Sequence, residues 1–564
     1  MDATRVRSLL PYLLIPIFTW LSNFFLVPKG LALHDSDQAF YPLAAEHFYR
    51  FGEWSFFPFT QTYGGTAYTW LRALWVGGLE RLGVDFLRAH WLFSYWVTPT
   101  LIAWANTWMV SRFAWDKAGW QRARWVGAIV ASIGFVFWSH LAGIDIYMML
   151  PIGGALLLGL GAGFRAPLMD MPRGRLFWFS VLGGFCAYNF RPFLIYVVAV
   201  LFPWRYAWDE FLALVRGRSV GARITTFLFV GALTLFAAGL LIGRELGHLR
   251  GKAIKLDPGP NLDFAILIFA AWVAIRGRTR WREIPYARGA ITLGGLALGF
   301  LPQVIYSLRH GSNSSWTKMG MDSLGVSRLF TGTYELLTGL PNQIVDSAPF
   351  RWEPVLIVVI AMAYLLLAWI KHRQTQLTAP VMVVALNFAA FLGITMTSPG
   401  AARYLFPIFP TLILAMALLF QSVGPLARPA VRSVLLVLLS LSLFYQLHQR
   451  YAWATQPRVV AKSAQMWEVI DTFRRSGVKY VWTDDFWESV TYSLASRENP
   501  IFGSEEIPWP EPPHWKFRHA EPSVGVLLSG KRRRDPDGSI QINGRKLRLQ
   551  ALKDVGGFRL YLGN

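Results

Sequence analysis

Apolar residues run along this chain in long unbroken blocks, with neither the alternation of a half-buried strand nor the single stripe of a soluble helix. Blocks that approach or reach the length needed to cross about 30 Å of hydrocarbon lie at residues 8–27, 88–110, 124–141, 146–164, 176–190, 193–208, 224–243, 262–275, 289–307, 353–370, 379–397, 404–421 and 431–447. They predict about thirteen membrane helices, several of them short. Basic clusters fall in alternate loops: Arg112, Lys117, Arg122 and Arg124; Arg165, Arg173 and Arg175; Arg216, Arg218 and Arg223; Arg276, Arg278, Arg280 and Arg282; Lys371 and Arg373; Arg428 and Arg432. By the positive-inside rule these loops, with Met1, face the cytoplasm. Four segments then lie outside: the stretch after the first block, the turn SHLAGIDIY, the loop 309–351 and everything after residue 448. The segment RELGHLRGKAIK, residues 244–255, is basic yet falls on the outer side. Either the count of spans is off there, or the segment holds an anion.

The pattern changes after residue 448. In KSAQMWEVIDTFRRSGVKYVW, Met466, Val469, Ile470 and Phe473 recur at helical spacing, Gly477 stops the helix, and VKYVW reads as a strand. SVGVLLS, SIQING and FRLYLG read as further strands. The expectation is a membrane domain over 1–448 and a small outer α/β domain over 449–564.

Between the first two spans, Phe40, Tyr41, Leu43, Ala44, His47 and Phe48 fall mostly on one side of a helix over 37–50, and WLRALWVGGLERLG, residues 70–83, is too short and too charged to span. Both are expected to be amphipathic helices lying in the interface plane. Asp35 and Asp37 then sit at membrane level, where a carboxylate is costly unless it pairs, binds a cation or works on a substrate. The alternative for each is a helix N-cap, and the same pair of readings applies to Asp145 in its short outer turn. His34 and His140 could join these acids as metal ligands, but no ligand spacing marks them, so a solvated or structural role stands beside that reading. Arg403 and Arg244 are expected near the outer ends of their spans. An arginine fork there suits phosphate oxygens; the alternative is a snorkelling anchor. Lys252 and Lys255 are further candidates for an anion, or members of a solvated loop.

Composition agrees with a bilayer protein: 54% of the 564 residues are hydrophobic and 16% charged, against about 25% charged in soluble domains. The net charge of +22 does not indicate nucleic acid, because the basic residues are spread in short clusters suited to anionic head groups. Cys186 is the single cysteine, which excludes an intrachain disulfide and makes it a small packing residue. The first block has the basic start of a signal peptide at Arg5 and Arg7 but no small-residue cleavage site, and is expected to be a retained helix.

Four stretches in this order carry a family resemblance: DQAFYPLAAEHFYRFG, FTQTYGGTAYTWLRALWVGGLERLGV, SHLAGIDIYMMLP and ARYLFPIFP. Together they resemble the polytopic GT-C superfamily of glycosyltransferases, which includes protein mannosyltransferases and lipid A aminoarabinose transferases. The resemblance implies an α-helical polytopic membrane protein of GT-C fold that moves a hexosyl or pentosyl group, with inversion, from a polyprenyl-phosphate-linked donor to a glycan, lipid or protein acceptor. Asp37 matches the family's first-loop catalytic aspartate, with Asp35 beside it, and Asp145 its second-loop acid. Arg403, Arg244, Lys252 and Lys255 would meet the donor phosphate. His34, Gln38, Tyr41, Gln61, Tyr63, Gly64, Gly65 and Tyr404 would line the groove for donor and acceptor. Gln38 stands where the family often has a second acid, and no acid lies near Tyr63 and Gly64. The cofactor is therefore open between none and a divalent cation, Mg²⁺ or Mn²⁺, held by Asp35, Asp37 and Asp145. The implied location is the inner (plasma) membrane, with the N-terminus cytoplasmic and the site facing the periplasm. A secondary transporter, a lipid flippase or an inactive scaffold of the same fold is the alternative; the polar candidates cluster at one face without repeated halves, which favours an enzyme.

Overall fold

A computed structural model describes residues 3–29, 36–55, 57, 65–113, 117–133, 145–164, 167–190, 193–202, 204, 216, 220–242, 245–249, 252–255, 286–310, 353–372, 377–393, 407–426, 429–484, 486–504, 524–529, 538–542 and 545–563. Asp37, Gln38, Asp145, Lys252 and Lys255 are described by their backbone alone.

Helix α1 (Ala3–Asn23) ends in a 3-10 turn at Phe24–Lys29 and is followed by α2 (Ser36–Phe51) and α3 (Ala67–Arg81). Helix α4 (Phe86–Leu92) runs through a π turn at Phe93–Val97 into α5 (Thr98–Phe113). Then come α6 (Lys117–Ile133), α7 (Asp145–Gly161), α8 (Pro167–Asp170), α9 (Arg173–Asn189), α10 (Leu194–Leu201), α11 (Val220–Ile242) and the hairpin β1 (Glu245–Leu249) and β2 (Lys252–Lys255). Helices α12 (Tyr286–Gly299), α13 (Leu301–His310), α14 (Glu353–His372), α15 (Thr378–Gly393), α16 (Phe409–Leu426), α17 (Pro429–Ala454) and α18 (Pro457–Arg475) lead to the C-terminal sheet. That region comprises β3 (Tyr480–Thr483), α19 (Phe486–Ser496), β4 (Ile501–Gly503), β5 (Val524–Leu528), β6 (Ser539–Ile542), β7 (Arg545–Val555) and β8 (Phe558–Gly563).

Among the described residues one helix, Leu9–Pro28, is long and apolar enough to cross a membrane by length and composition. Shorter apolar helices at Tyr147–Gly161, Arg223–Ala232, Val359–Ile370, Thr378–Asn387 and Phe409–Phe420 overlap expected spans. The expected span at 262–275 lies outside the described residues.

The chain forms two compact units, one of Met1–Trp104, Ala128–Met149 and Ser442–Asn564, the other of Ala105–Gly127 and Leu150–Leu441. In the first, two indoles dock α1. Pro16 lacks an N–H, so the Tyr12 carbonyl loses its helical donor; the Trp104 indole N–H donates to that carbonyl at 2.8 Å. Trp96 donates likewise to the Pro16 carbonyl at 3.0 Å, and the hydroxyls of Thr19 and Thr100 meet at 2.7 Å. A residue that would weaken an isolated helix thus becomes the point at which neighbouring aromatics attach.

Helix α2 differs from its expected form. Every residue from Ala39 to Phe48 is buried, so the helix is enclosed on all sides and does not lie with one polar face in water. The physical reason is that its polar residues find partners inside the unit, as described below.

The sheet of this unit has the order β4-β3-β5-β8-β7-β6. Strand β3 is parallel to β4 and β5, and the remaining pairs are antiparallel. Helix α18 buries the four residues expected, Met466, Val469, Ile470 and Phe473. Gly525 is glycine because a Cβ there would lie 2.8 Å from the Phe473 ring. On the sheet, Tyr480, Trp482, Val526, Ile540, Leu547 and Tyr561 pack in a buried cluster.

In the second unit, α9 and α12 cross with their backbones touching. A Cβ on Gly184 would stand 2.2 Å from the Leu296 carbonyl oxygen, and one on Gly299 would stand 2.1 Å from that of Val181. Small residues at such crossings allow the van der Waals contact that holds helices together in lipid, where no hydrophobic drive operates between them. Cys186 on α9 is buried.

Candidate functional site

Asp37 is the second residue of α2 and Asp145 the first of α7, and both belong to the first compact unit. Gln38 and Tyr41 share α2 with Asp37. Tyr41 is buried, its ring edge-on to Phe40 at 5.4 Å. Gly65 is buried beside Thr66, whose hydroxyl donates to the Ser55 carbonyl at 2.5 Å just before α3 begins. Lys252 and Lys255 occupy the two ends of β2, opposite Leu249 and Glu245 of the second unit's hairpin. Asp35, His34, His140, Gln61, Tyr63, Gly64, Arg244, Arg403 and Tyr404 lie outside the described residues. The structure therefore brings Asp37, Gln38 and Tyr41 onto one helix and sets the lysine pair on a hairpin.

Of what occupies the other end of α2, the sequence pattern picks out His47 alone, on the apolar side of the helix. Glu46 accepts hydrogen bonds from His90 Nε2 and from Arg497 Nε, each at 3.1 Å. Arg497 also reaches Glu80 on α3 through Nη2 at 2.5 Å, with its guanidinium 4.5 Å from the Phe86 ring centroid. The next residue, His47, is held through Nδ1 by Glu53 at 2.7 Å and through Nε2 by Glu498 at 2.9 Å. Arg50 lies 4.0 Å from Glu46. Behind them Arg72, fully buried, donates to Ser94 at 2.9 Å and to the His90 carbonyl at 3.4 Å, over the Phe93 ring at 4.7 Å.

Buried charges are tolerated only when paired. Burial works against the Glu46 charge, yet the hydrogen bond and charge of His90, with those of Arg497, hold its carboxyl below the usual range. Burial likewise pulls the His47 ring downward, but Glu498 and then Glu53 outweigh it and raise its pKa. The carboxylates of Glu46, Glu53, Glu80 and Glu498 are thus each paired with a histidine or an arginine of the network: Glu46 with His90, Arg497 and Arg50, Glu80 with Arg497, and Glu53 and Glu498 with His47.

Local backbone geometry presents the two C-terminal members. After α19 ends at Ser496, Arg497 (φ 55°) and Glu498 (φ 58°) both adopt left-handed conformations, which cost non-glycine residues about 1–2 kcal/mol each. The turn is fixed by Arg497 N–H to the Leu494 carbonyl at 3.1 Å, Glu498 N–H to the Ser493 carbonyl at 2.8 Å and Asn499 N–H to the Ser496 carbonyl at 3.2 Å. Arg474 of α18 braces it through the Asn499 carbonyl at 3.2 Å. Successive left-handed residues aim both side chains into the α2–α3–α4 layer. Strain of this kind persists where surrounding contacts offset it, often at functional positions.

These ion pairs tie α2 to α3, to α4 and to the turn that follows α19. Among the described residues no group of three or more His, Cys, Asp or Glu is arranged to hold a metal ion.

No family model matches the sequence, and no curated protein matches it. Among solved structures the chain is similar to ArnT from Cupriavidus metallidurans in the apo state, at 11% identity over 93% of each chain with a TM-score of 0.50. It is also similar to the oligosaccharyltransferase AglB from Archaeoglobus fulgidus in complex with an inhibitory peptide and a dolichol-phosphate, at 14% identity, covering 88% of this chain and 64% of that one with a TM-score of 0.45. The Archaeoglobus fulgidus oligosaccharyltransferase complex with Zn and sulfate gives 12% identity, 87% and 62% coverage and a TM-score of 0.46. The chain thus spans a little under two thirds of these oligosaccharyltransferase chains. The likeness to ArnT shows the fold: a mostly helical chain with a C-terminal β-sheet region.

Proposed function

We propose that the chain is an integral-membrane glycosyltransferase, moving a sugar from a polyprenyl-phosphate-linked donor to a glycan, lipid or protein acceptor on the outer face of the membrane. The observation that carries this reading is the ArnT-like fold over 93% of both chains. The place of Asp37 in the opening turn of α2 supports it. About thirteen helices over 1–448 would hold the site in the inner membrane, and residues 449–564 would form the outer domain that seats the acceptor.

The acceptor hydroxyl oxygen attacks C1 of the sugar from the side opposite the phosphate. The new glycosidic bond forms as the C1–O bond to phosphate breaks, which inverts C1. The hydroxyl proton passes to the Asp37 carboxylate, acting as general base. The electron pair leaves with the polyprenyl phosphate, whose growing negative charge Arg403 and Arg244 stabilise electrostatically, with Lys252 and Lys255 in support. Asp145 orients the acceptor. Asp35, Asp37 and Asp145 offer the hard oxygen ligands that suit Mg²⁺ or Mn²⁺, and such an ion would neutralise phosphate charge.

The test is transfer from a radiolabelled polyprenyl-phosphate sugar to a mixed acceptor pool by the purified full chain in lipid nanodiscs. A covalent product is expected, falling about 10²- to 10⁴-fold in Asp37→Asn, the range of general-base catalysis, with the variant still monodisperse. Movement of the donor across vesicles with no covalent product would make the chain a transporter or flippase.

A further inference from the structure

We propose that Arg497 and Glu498 are positioning residues for the first-loop helix: their turn grips α2 at Glu46 and His47 and so fixes the opening turn that carries Asp37. This rests on the reading of Asp37 as the base.

Three features of α2 lead there. First, its C-terminal half is tied by charge to a segment some 450 residues away, through His47–Glu498 and Glu46–Arg497. Second, Pro42 lies inside the helix; lacking an N–H, it leaves the Gln38 carbonyl without its helical donor. The ring also fixes the Pro42 φ, so the direction in which the turn bearing Asp37 leaves the segment beyond Pro42 follows how that segment is held. Third, Glu46 and Asp37 stand nine residues apart in one helix, about 13–14 Å at the helical rise. A rotation of the gripped half is transmitted to Asp37 across that distance, and a misplacement of about 1 Å can cost about 10²-fold in rate.

The grip is built for placement. Arg497 engages two helices at once, Glu46 of α2 and Glu80 of α3, and Glu498 engages the residue beside Glu46. Two neighbouring contacts on α2 with different geometries restrict both its rotation and its slide. The C-terminal α/β region thereby communicates with the opening turn of α2 without touching the reacting atoms.

A single reporter reads this directly. Cys186 is the chain's one cysteine, so a Cys186→Ala, Ser36→Cys protein carries one thiol beside Asp37 for a nitroxide label. Glu498→Gln, Arg497→Lys and Arg497→Ala are placed in that background, with Lys553→Gln, from the exposed pair Lys553–Glu468, as control. The expected result is increased label mobility in the Glu498 and Arg497 variants but not in the control. Transfer kcat is expected to fall about tenfold, with KM for the donor changed less than about twofold. The groups around His47 are Glu53 and Glu498, with Glu46, Arg50 and Arg497 beyond. In Glu498→Gln the alkaline onset of label mobility moves to lower pH, because His47 has lost one of its two carboxylates, a shift that mere loss of folding would not produce. Label spectra and kcat equal to the parent in folded Glu498→Gln and Arg497→Lys would overturn the proposal. Mobilised label together with full transfer in Asp37→Asn would leave the grip on α2 in place and remove the base reading alone.

Discussion

Glu46→Gln isolates the charge at the centre of the buried network. The change keeps the side chain's size and one acceptor oxygen. It removes the charge that two donors share at 3.1 Å, His90 Nε2 and Arg497 Nε, and it points a new NH₂ at one of them. A hydrogen bond to a charged group contributes about 1.5–3 kcal/mol, and about half of that is lost when the partner becomes neutral. Two such losses give about 1.5–3 kcal/mol. Removing one member of a buried pair outright costs about 3–5 kcal/mol, but Arg497 remains 29% exposed and keeps Glu80, so the lower range applies. At about 2–4 °C per kcal/mol for a unit of about 250 residues, the melting midpoint should fall by about 3–12 °C. The comparator is Lys553→Gln, whose half-exposed pair with Glu468 should be worth about 0–1 kcal/mol. Thermal unfolding of the purified chain in detergent, followed by intrinsic fluorescence and by retention of the monodisperse peak, reads both. Combining Glu46→Gln with Arg497→Ala should cost less than the sum of the two, since each removes the same contact. Strict additivity, or a Glu46→Gln loss no greater than that of Lys553→Gln, would refute the assignment of this network as what holds α2.

Two further outcomes follow from the same geometry. Because the His47 pKa is raised above its ordinary 6.5, its contribution is fully present below 6.5 and is lost as pH rises through the raised value. Glu46 is held below 4.5, so its contribution is present above 4.5 and is lost as pH falls through the lowered value. The melting midpoint should thus show an acid limb that Glu46→Gln flattens and an alkaline limb that His47→Asn flattens; an alkaline limb unchanged in His47→Asn would exclude His47 as its source. In the second unit, Gly299→Ala forces a methyl against the Val181 carbonyl, a backbone clash no rotamer relieves, and should destabilise by about 1–3 kcal/mol. Gly289→Ala on the same helix meets open space and should be neutral or slightly stabilising; equal midpoints for the two variants would show that α9 and α12 do not cross in contact.

What the sequence made legible follows from how local each cause is. Helix α18 and strands β3, β5, β6 and β8 were readable because apolar spacing within a few residues determines which face is buried. Strand β7, RKLRLQALKDV, was passed over because its charges mask the alternation, although Leu547 is buried. The network around Glu46 and His47 is legible only in part. Read alone, AAEHF places His47 on the apolar side of an amphipathic helix and leaves Glu46 for the wet face, because the residues that neutralise Glu46 come from α19's end and from α4. A local signal is nonetheless present: with Ala44, Ala45, His47 and Phe48 around it, a helix exposed at Glu46 would leave only a narrow polar strip. The SREN segment at the end of α19 gave no matching cue, since charged residues after a helix are ordinary in a surface loop, and nothing in that segment marks the left-handed backbone that turns Arg497 and Glu498 inward. A change of composition near residue 448 therefore marks where the chain stops being lipid-like, while the charges on either side of it are mutually dependent: Glu46 and His47 stay buried because Arg497 and Glu498 are there, and the left-handed turn is tolerated because Glu46 and His47 receive it.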